Sequence, residues 1–302
     1  MKKATHTPKK YRSAGSNIFD LVVNAIIIIV GAAAAYPLIY VISASLSNPV
    51  EVNSGNLWLF PKGFQWDGYR AILKNHWIPI GYRNSILYTV LGTTINVVIT
   101  VMASFSLSRK NLFGRKLLNW YIAIPMWFSG GLIPTYLVVN SLGMVNTPYI
   151  LLIMGLVSSY NIIICRTFMS SLPYELQEAA KIDGANDFQI LFRIVMPVST
   201  PIIAVLCLYY AVSHWNNYFN AMIYVNNKNW QTLQVFLREI LLLNQNINTD
   251  DIQDVEQLIE KTNLAQTMKY SLIVVSSIPL LIAYPMVQKY FVKGVMIGSV
   301  KG

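Results

Sequence analysis

Charge is scarce in this 302-residue chain: Asp, Glu, Lys and Arg make up 12% of it, about half the share usual in soluble domains. With 54% hydrophobic residues and a mean hydropathy of +0.45, too little polar surface remains to cover a soluble particle of this length. That argues against an ordinary soluble enzyme and points to the bilayer as solvent. Cysteine is nearly absent. Cys165 and Cys207 lie in apolar runs with no CxxC or Cys/His cluster nearby, which fits small buried hydrophobes better than a disulfide or a metal site. No GxxxxGK[ST] phosphate loop is present, so cradling of nucleotide phosphates must come from another polypeptide. No Ser/His/Asp constellation stands out either: His6 and His76 lie outside the apolar runs, and His214 has no acidic residue near it in sequence. Internal repeats, low-complexity tracts and long linkers are also missing.

What the chain does have is long stretches without Asp, Glu, Lys or Arg, and about 20 apolar residues cross a hydrocarbon core. Such windows run between Asp20 and Glu51, Arg83 and Arg109, Lys116 and Arg166, Arg193 and Lys228, and Lys269 and Lys289. The third is long enough for two crossings, with a turn at Asn140–Gly143 and Pro148 near the start of the second. The expectation is an all-α integral membrane protein with six transmembrane helices, at about 21–45, 84–107, 118–139, 148–166, 196–219 and 268–288. Six crossings put both termini on one side.

The net charge of +10 is a topology signal. Lys2, Lys3, Lys9, Lys10 and Arg12 share one side with Arg109, Lys110, Arg115 and Lys116, with 166–193 and with the C-terminal tail, and this side carries all of the net charge. It is therefore expected to be cytoplasmic. No nucleic acid is needed to explain the basic balance. The basic N-terminus, apolar run and Ala32–Ala35 resemble a secretory signal, but the run continues through Tyr36–Ile42, beyond a typical signal core, which favours an uncleaved first helix. The expected organisation is 1–80 for the inner N-terminus, first helix and external loop; 81–290 for the membrane core, with a cytoplasmic loop at 171–197; and 291–302 for an inner tail. A second external loop, from about 220, has Leu-rich helical patterning at Val235–Leu243 and an acidic, polar stretch from Asn244 to Glu260.

The loop between the fourth and fifth spans carries the clearest pattern. Pro173 near a first turn and Glu175 and Glu178 early in the segment suit a helix start. Leu172, Leu176, Ala179 and Ala180 share a face, and the alanines allow close approach of a neighbouring surface. Gly184 can take the left-handed conformation that ends such a helix. Asn186 or Asp187 can then cap the next helix, which leads into the fifth span. The result is a rigid helix–turn–helix at the cytoplasmic face.

Glu178-Ala179-Ala180, Gly184, Ile194 and Met196-Pro197, at their spacing, resemble the EAA loop of binding-protein-dependent ABC importer permeases, with Met196 where the family usually has Leu. Six spans with this loop between the fourth and fifth resemble the smaller permease of the maltose-importer type, and the string from Tyr290 to Gly302 fits the same branch. Gly130–Tyr136 and His214–Phe219 look like permeases associated with complex oligo- or polysaccharide uptake. The resemblance implies a type I ABC importer transmembrane domain in a bacterial cell membrane. It implies a second permease subunit, two ATPase subunits and an extracellular substrate-binding protein as partners, and a carbohydrate as substrate. ATP and Mg would be bound by the ATPase subunits, with no cofactor in this chain. The loop would be the coupling helix: Glu178 would pair with a basic group on the ATPase, Ala179 and Ala180 would pack against it, Gly184 would make the turn, and Asp183 and Pro197 complete the candidate set.

One further segment holds candidate chemistry. Counted along a continuous helix from Ile194, His214-Trp215-Asn216-Asn217-Tyr218 lies roughly 30 Å on, near the external end. Amides beside an indole suit a sugar, which makes Trp215, Asn216, Asn217 and Tyr218 candidates for a substrate path. An interfacial aromatic belt or interhelical hydrogen bonding explains the same residues. Two other classes of function remain: an ion-gradient-driven secondary transporter, which usually places an ionisable residue mid-membrane, and a membrane enzyme or assembly factor, for which no nucleophile or metal set stands out.

Overall fold

The computed structural model describes residues 14–243 and 255–299, and every described element is helical. The basic N-terminus, most of the acidic stretch after Asn244 and the last three residues lie outside the described residues. Helix α1 (Ala14–Ser45) contains the apolar run Ile18–Ser45, and none of its most apolar window is buried within the chain. Among its described side chains the buried ones are Ser43, Ala44 and Ser45, at the outgoing end. Short α2 (Pro49–Asn53) and α3 (Asp67–Lys74) follow, then α4 (Trp77–Ser108), a 32-residue helix that starts earlier than expected and includes Arg83.

The third and fourth expected spans are not continuous helices. The segment from 115 to 141 forms α5 (Arg115–Ala123), a 3₁₀ turn at Ile124–Met126 and α6 (Leu132–Ser141). Pro125 and Gly130-Gly131 cause the break, because proline lacks a backbone N–H and Gly131 adopts φ +83°. The fourth expected span yields α7 (Ile150–Ile153) and α8 (Ser159–Ser170), separated at Gly155 with φ +81°. A window free of charge thus measures apolarity; glycine and proline decide whether it is one rod.

Beyond α8 come α9 (Glu175–Ile182) and α10 (Asp187–Gln189), which continues through a π-helical turn (Ile190–Val195) into α11 (Met196–Val198). Helix α12 (Thr200–Trp215) then leaves at 86° to the preceding limb. Pro197 and Pro201 flank that bend at Ser199. Counting rise from Ile194 therefore overstates the reach: Trp215 lies about 24 Å from the start of α12. Helices α13 (Phe219–Tyr224), α14 (Leu233–Leu243) and α15 (Val255–Ser299) complete the chain, α14 matching the Leu-rich pattern. Among the described residues, three helices are long and apolar enough to cross a membrane, within Ile18–Ser45, Trp77–Ser108 and Thr262–Pro285, and the bent α10–α12 unit makes a fourth if counted as one span.

The bundle is organised on α4, which packs against α8 and α12; α15 packs against α1, α3, α12 and α14. One core joins Val97, Val101 and Phe105 of α4 to Cys165 and Met169 of α8 and to Ile202 and Leu206 of α12. The same core takes in Ala180, Ile190, Leu191 and Val195. The 171–197 loop is thus continuous with the packed interior. Where charge is absent, neutral hydrogen bonds cross the bundle: Thr100 Oγ1 and Tyr210 Oη lie 2.6 Å apart, and Ser104 Oγ donates to the Ile162 carbonyl at 3.1 Å. Such bonds contribute about 0.6 kcal/mol each on average in membrane helices.

Candidate functional sites

The helix–turn–helix is built from local bonds. Helix α9 carries Glu175 and Glu178 in its first turn and Lys181 in its last, each on the favourable end of the helix dipole. It ends as expected: Gly184 has φ +81°, Ala185 N–H donates to the Ala180 carbonyl at 2.9 Å, and Gly184 N–H to the Lys181 carbonyl at 3.0 Å. These two bonds define a Schellman stop with Asp183 as the C-cap. Asn186 rather than Asp187 caps α10, in a reciprocal box: its Oδ1 accepts from Gln189 N–H and Gln189 Oε1 accepts from Asn186 N–H, both at 2.9 Å.

The two faces of α9 differ from the expected arrangement. Ala180 and Gln177 are buried in the chain's own interior, whereas Leu176, Ala179 and Glu178 are exposed. Ala180 therefore anchors the element, and only Ala179 of the pair is free to meet another surface. Ile182 is 87% exposed and Phe188 65%, so the element presents apolar side chains beside acids. The Glu175 and Glu178 carboxylates have no hydrogen bond or ion pair among the described residues. A second attachment lies in Asp187, whose carboxylate meets Arg109 at 2.9 Å; the Arg109 guanidinium also stands 4.4 Å over the Phe105 ring. Arg109 closes α4, so the outgoing limb is tied to the end of the central helix. Sequence reading used Arg109 only as a topology charge. Pro197 sits where the limb bends toward α12.

The second site surrounds the other end of α12. Asn216, Asn217 and Tyr218 line a hollow of about 250 Å³ together with Asn96, Gly155, Ser213, His214 and Asn220. Trp215 departs from the expectation. It is 3% exposed, its indole N–H donates to the Ser276 carbonyl at 3.0 Å, and its ring meets Tyr82 edge-on at 5.7 Å. One residue along a helix turns the side chain by about 100°, which carries Trp215 into the α15 interface while its neighbours face the hollow. These contacts are those of a side chain packed between helices.

Asn96 is the residue sequence reading missed. It is 1% exposed; its Nδ2 donates to the Gly155 carbonyl and to His214 Nε2, both at 3.2 Å, while its Oδ1 has no partner. Gly92, one turn before it, is where the His214 ring packs: a Cβ there would lie 2.4 Å from ring atoms. Ser213 and Gly155 are shared with an adjoining hollow of about 570 Å³ lined by Val157, Ser158, Tyr160, Asn161, Tyr209 and Tyr210. The combined lining is mainly amide, hydroxyl and aromatic, with no Asp, Glu, Lys or Arg among the described residues. Such walls can hydrogen-bond neutral hydroxyls and cover C–H faces with rings.

An all-helical membrane chain with a rigid turn projecting from its core defines the class, a polytopic membrane component. The family follows from direct comparison: residues 80–297 match the model of the binding-protein-dependent transport system inner membrane component, and the chain belongs to that family. It is 37% identical over 287 residues to the polygalacturonan/rhamnogalacturonan transport system permease protein YtcP of Bacillus subtilis, covering 95% of this chain and 99% of that one. Protein LplC of the same organism is 37% identical over 275 residues, covering 90% and 91%. Among solved structures, a bacterial ABC transporter involved in import of the acidic polysaccharide alginate aligns with a TM-score of 0.83 and 32% identity, over 94% of this chain and all of that one. The fold is that of a type I ABC importer permease.

Proposed function

We propose that this chain is a permease subunit of an ATP-driven importer, moving an oligo- or polysaccharide inward by alternating access. It works with a second permease subunit, two ATPase subunits and an extracellular substrate-binding protein, in a bacterial plasma membrane with both termini inside. ATP is hydrolysed by the partners and not by this chain. The broken units 115–141 and 150–170 act as the third and fourth crossings. The observation that carries the reading is the α9–α10 element, whose inner side is part of the bundle core and whose outer side offers unpaired acids and apolar side chains. A push on Glu178, Ala179 and Ile182 is transmitted through Ala180, Ile190 and Leu191 to α4 and α12.

The substrate path in this subunit runs past Asn216, Asn217 and Tyr218, beside the buried and unpartnered Asn96 Oδ1. Glu178 pairs with a basic group of the ATPase, and Asp183, Gly184 and Pro197 hold the element's shape. The test is a disulfide scan: Ala179→Cys, in a chain lacking Cys165 and Cys207, cross-links to single cysteines in the ATPase groove, and ATP changes the yield. A cysteine replacing Ala180 stays unreactive because it is buried. Cross-linking at 180 and none at 179 contradicts the docking face. Orientation is checked with cysteines replacing Gly55 and Asn186, labelled by an impermeant reagent in intact cells. The expected result is labelling at 55 only; labelling at 186 overturns the topology.

A further inference from the structure

A third hollow, distant in chemistry from both sites above, lies between the end of α4, the whole of α5 and the outgoing half of α8. Its volume is about 270 Å³, and its walls include Leu107, Lys116, Asn119, Trp120, Trp127 and Arg166. Two cations from different helices face one cavity. Arg166 donates to Asn119 Oδ1, which leaves further guanidinium N–H groups to bind something else. The Lys116 ammonium has no hydrogen bond or ion pair among the described residues. Among the described residues no acid lines the cavity, and no Asp or Glu occurs in the sequence between Asp67 and Glu175. The nearby Arg109, by contrast, has its carboxylate in Asp187.

The position adds the second half of the case. Leu107 is the penultimate residue of α4, and Arg166 lies four residues before the end of α8, about 6 Å along its axis. The cavity therefore sits at the end of the apolar rods, on the side that carries the basic residues. Around it the surface is apolar and aromatic: Leu117 is 75% exposed, Trp120 56%, Trp127 69% and Phe128 75%. Tryptophan at the end of apolar spans is characteristic of the headgroup level, and basic pockets between membrane helices on the cytoplasmic side suit anionic headgroups.

We propose that this cavity is a binding site for one anionic phospholipid of the inner leaflet, unrelated to the transported substrate. The phosphate lies between the Arg166 guanidinium and the Lys116 ammonium, and an acyl chain runs over Trp120, Trp127 and Phe128. The leaflet follows from the orientation proposed above; the headgroup chemistry does not depend on it. Two unpaired cations at the membrane edge supply the charge complement that a phosphatidylcholine headgroup, with its own cation, satisfies only in part.

The test uses the intact complex of permeases and ATPases, purified in mild detergent and titrated with phosphatidylglycerol while native mass spectrometry counts bound lipid. Each cation near an anionic headgroup contributes about fivefold in affinity, so Lys116→Gln with Arg166→Gln weakens the tight site on the order of thirtyfold. Lys110→Gln, which removes an exposed cation outside the cavity, leaves it unchanged. Phosphatidylcholine binds the parent complex no better than the double variant. Equal phosphatidylglycerol retention by parent and double variant overturns the proposal. Occupancy displaced by millimolar inorganic phosphate also overturns it, in favour of a simple anion site. If the double variant fails to assemble while the Lys110 control assembles, the site is occupied by an acid of a partner subunit, and the lipid assignment falls.

Discussion

The α9–α10 turn and the polar hollow lie at opposite ends of the unit that α12 completes, and they are built in contrasting ways. In the turn, every defining bond is local: Ala185 to Ala180, Gly184 to Lys181, Asn186 with Gln189. Its working face is exposed and charged. In the hollow, Asn96 of α4 bonds to His214 of α12 and to Gly155 between α7 and α8, so its geometry exists only once three distant segments have packed. The Asn216, Asn217 and Tyr218 side chains that line it are neutral. A local, rigid element suits a lever that must keep its shape while being pushed. A neutral hollow assembled across helices suits a passage that opens and closes as those helices move. A single backbone change should therefore damage the first, whereas the second should respond to packing and to paired side chains.

Substitutions sharpen or break that contrast. The largest effect is expected at Trp215, beside the hollow yet not in it. Trp215→Ala empties a buried site and costs about 3–5 kcal/mol, read as a lower thermal midpoint of the purified complex, with the half-saturating substrate concentration unchanged in whatever protein assembles. A raised half-saturation with parental stability would return Trp215 to the path. Gly184→Val follows. An added side chain meets nothing within 4 Å, so the cost comes from φ +81° alone, about 1–3 kcal/mol for a residue ill-suited to that region. Assembly should survive, and uptake should fall by about tenfold or more with substrate-stimulated ATP turnover. Normal coupling in this variant would separate the turn's geometry from its role.

Asn96→Leu comes next, because it leaves the Gly155 carbonyl and His214 Nε2 without a donor, at about 1–3 kcal/mol. Both stability and substrate affinity should drop, which distinguishes a residue serving structure and path together; an effect on stability alone would confine it to packing. The smallest effect is expected for Asn216→Ala, which removes one amide from an exposed wall. Half-saturation should rise about fivefold, the worth of one hydrogen bond, at parental stability. No change across a range of substrate concentrations would place the path elsewhere.

The same contrast explains what was legible in the sequence. The spacing from Glu178 to Gly184 and on to Pro197 is local, so helix, stop and cap could be placed from residue types, down to the left-handed Gly184. Which alanine faces inward was not legible, because Leu172, Leu176, Ala179 and Ala180 form one apolar stripe and only the tertiary core selects Ala180. Asn96 was invisible for the same reason: a lone amide within an apolar run carries no signal until Gly155 and His214 meet it. Trp215 was misdirected by neighbours in sequence that are not neighbours in orientation. The windows between charges located the apolar segments well, but Pro125, Gly131 and Gly155 divide two of them and Ser199 marks a right-angle turn.

The central claim is that ATP hydrolysis elsewhere in the complex drives substrate through this subunit by way of the α9–α10 element. The most direct measurement is uptake of labelled oligosaccharide, presented with its binding protein, into vesicles containing the reconstituted complex. Uptake should require ATP at the face bearing Glu178, persist when ionophores collapse the proton and sodium gradients, and fail in Glu178→Lys despite normal assembly. Uptake that follows an imposed ion gradient without ATP, undisturbed by Glu178→Lys, would contradict the account.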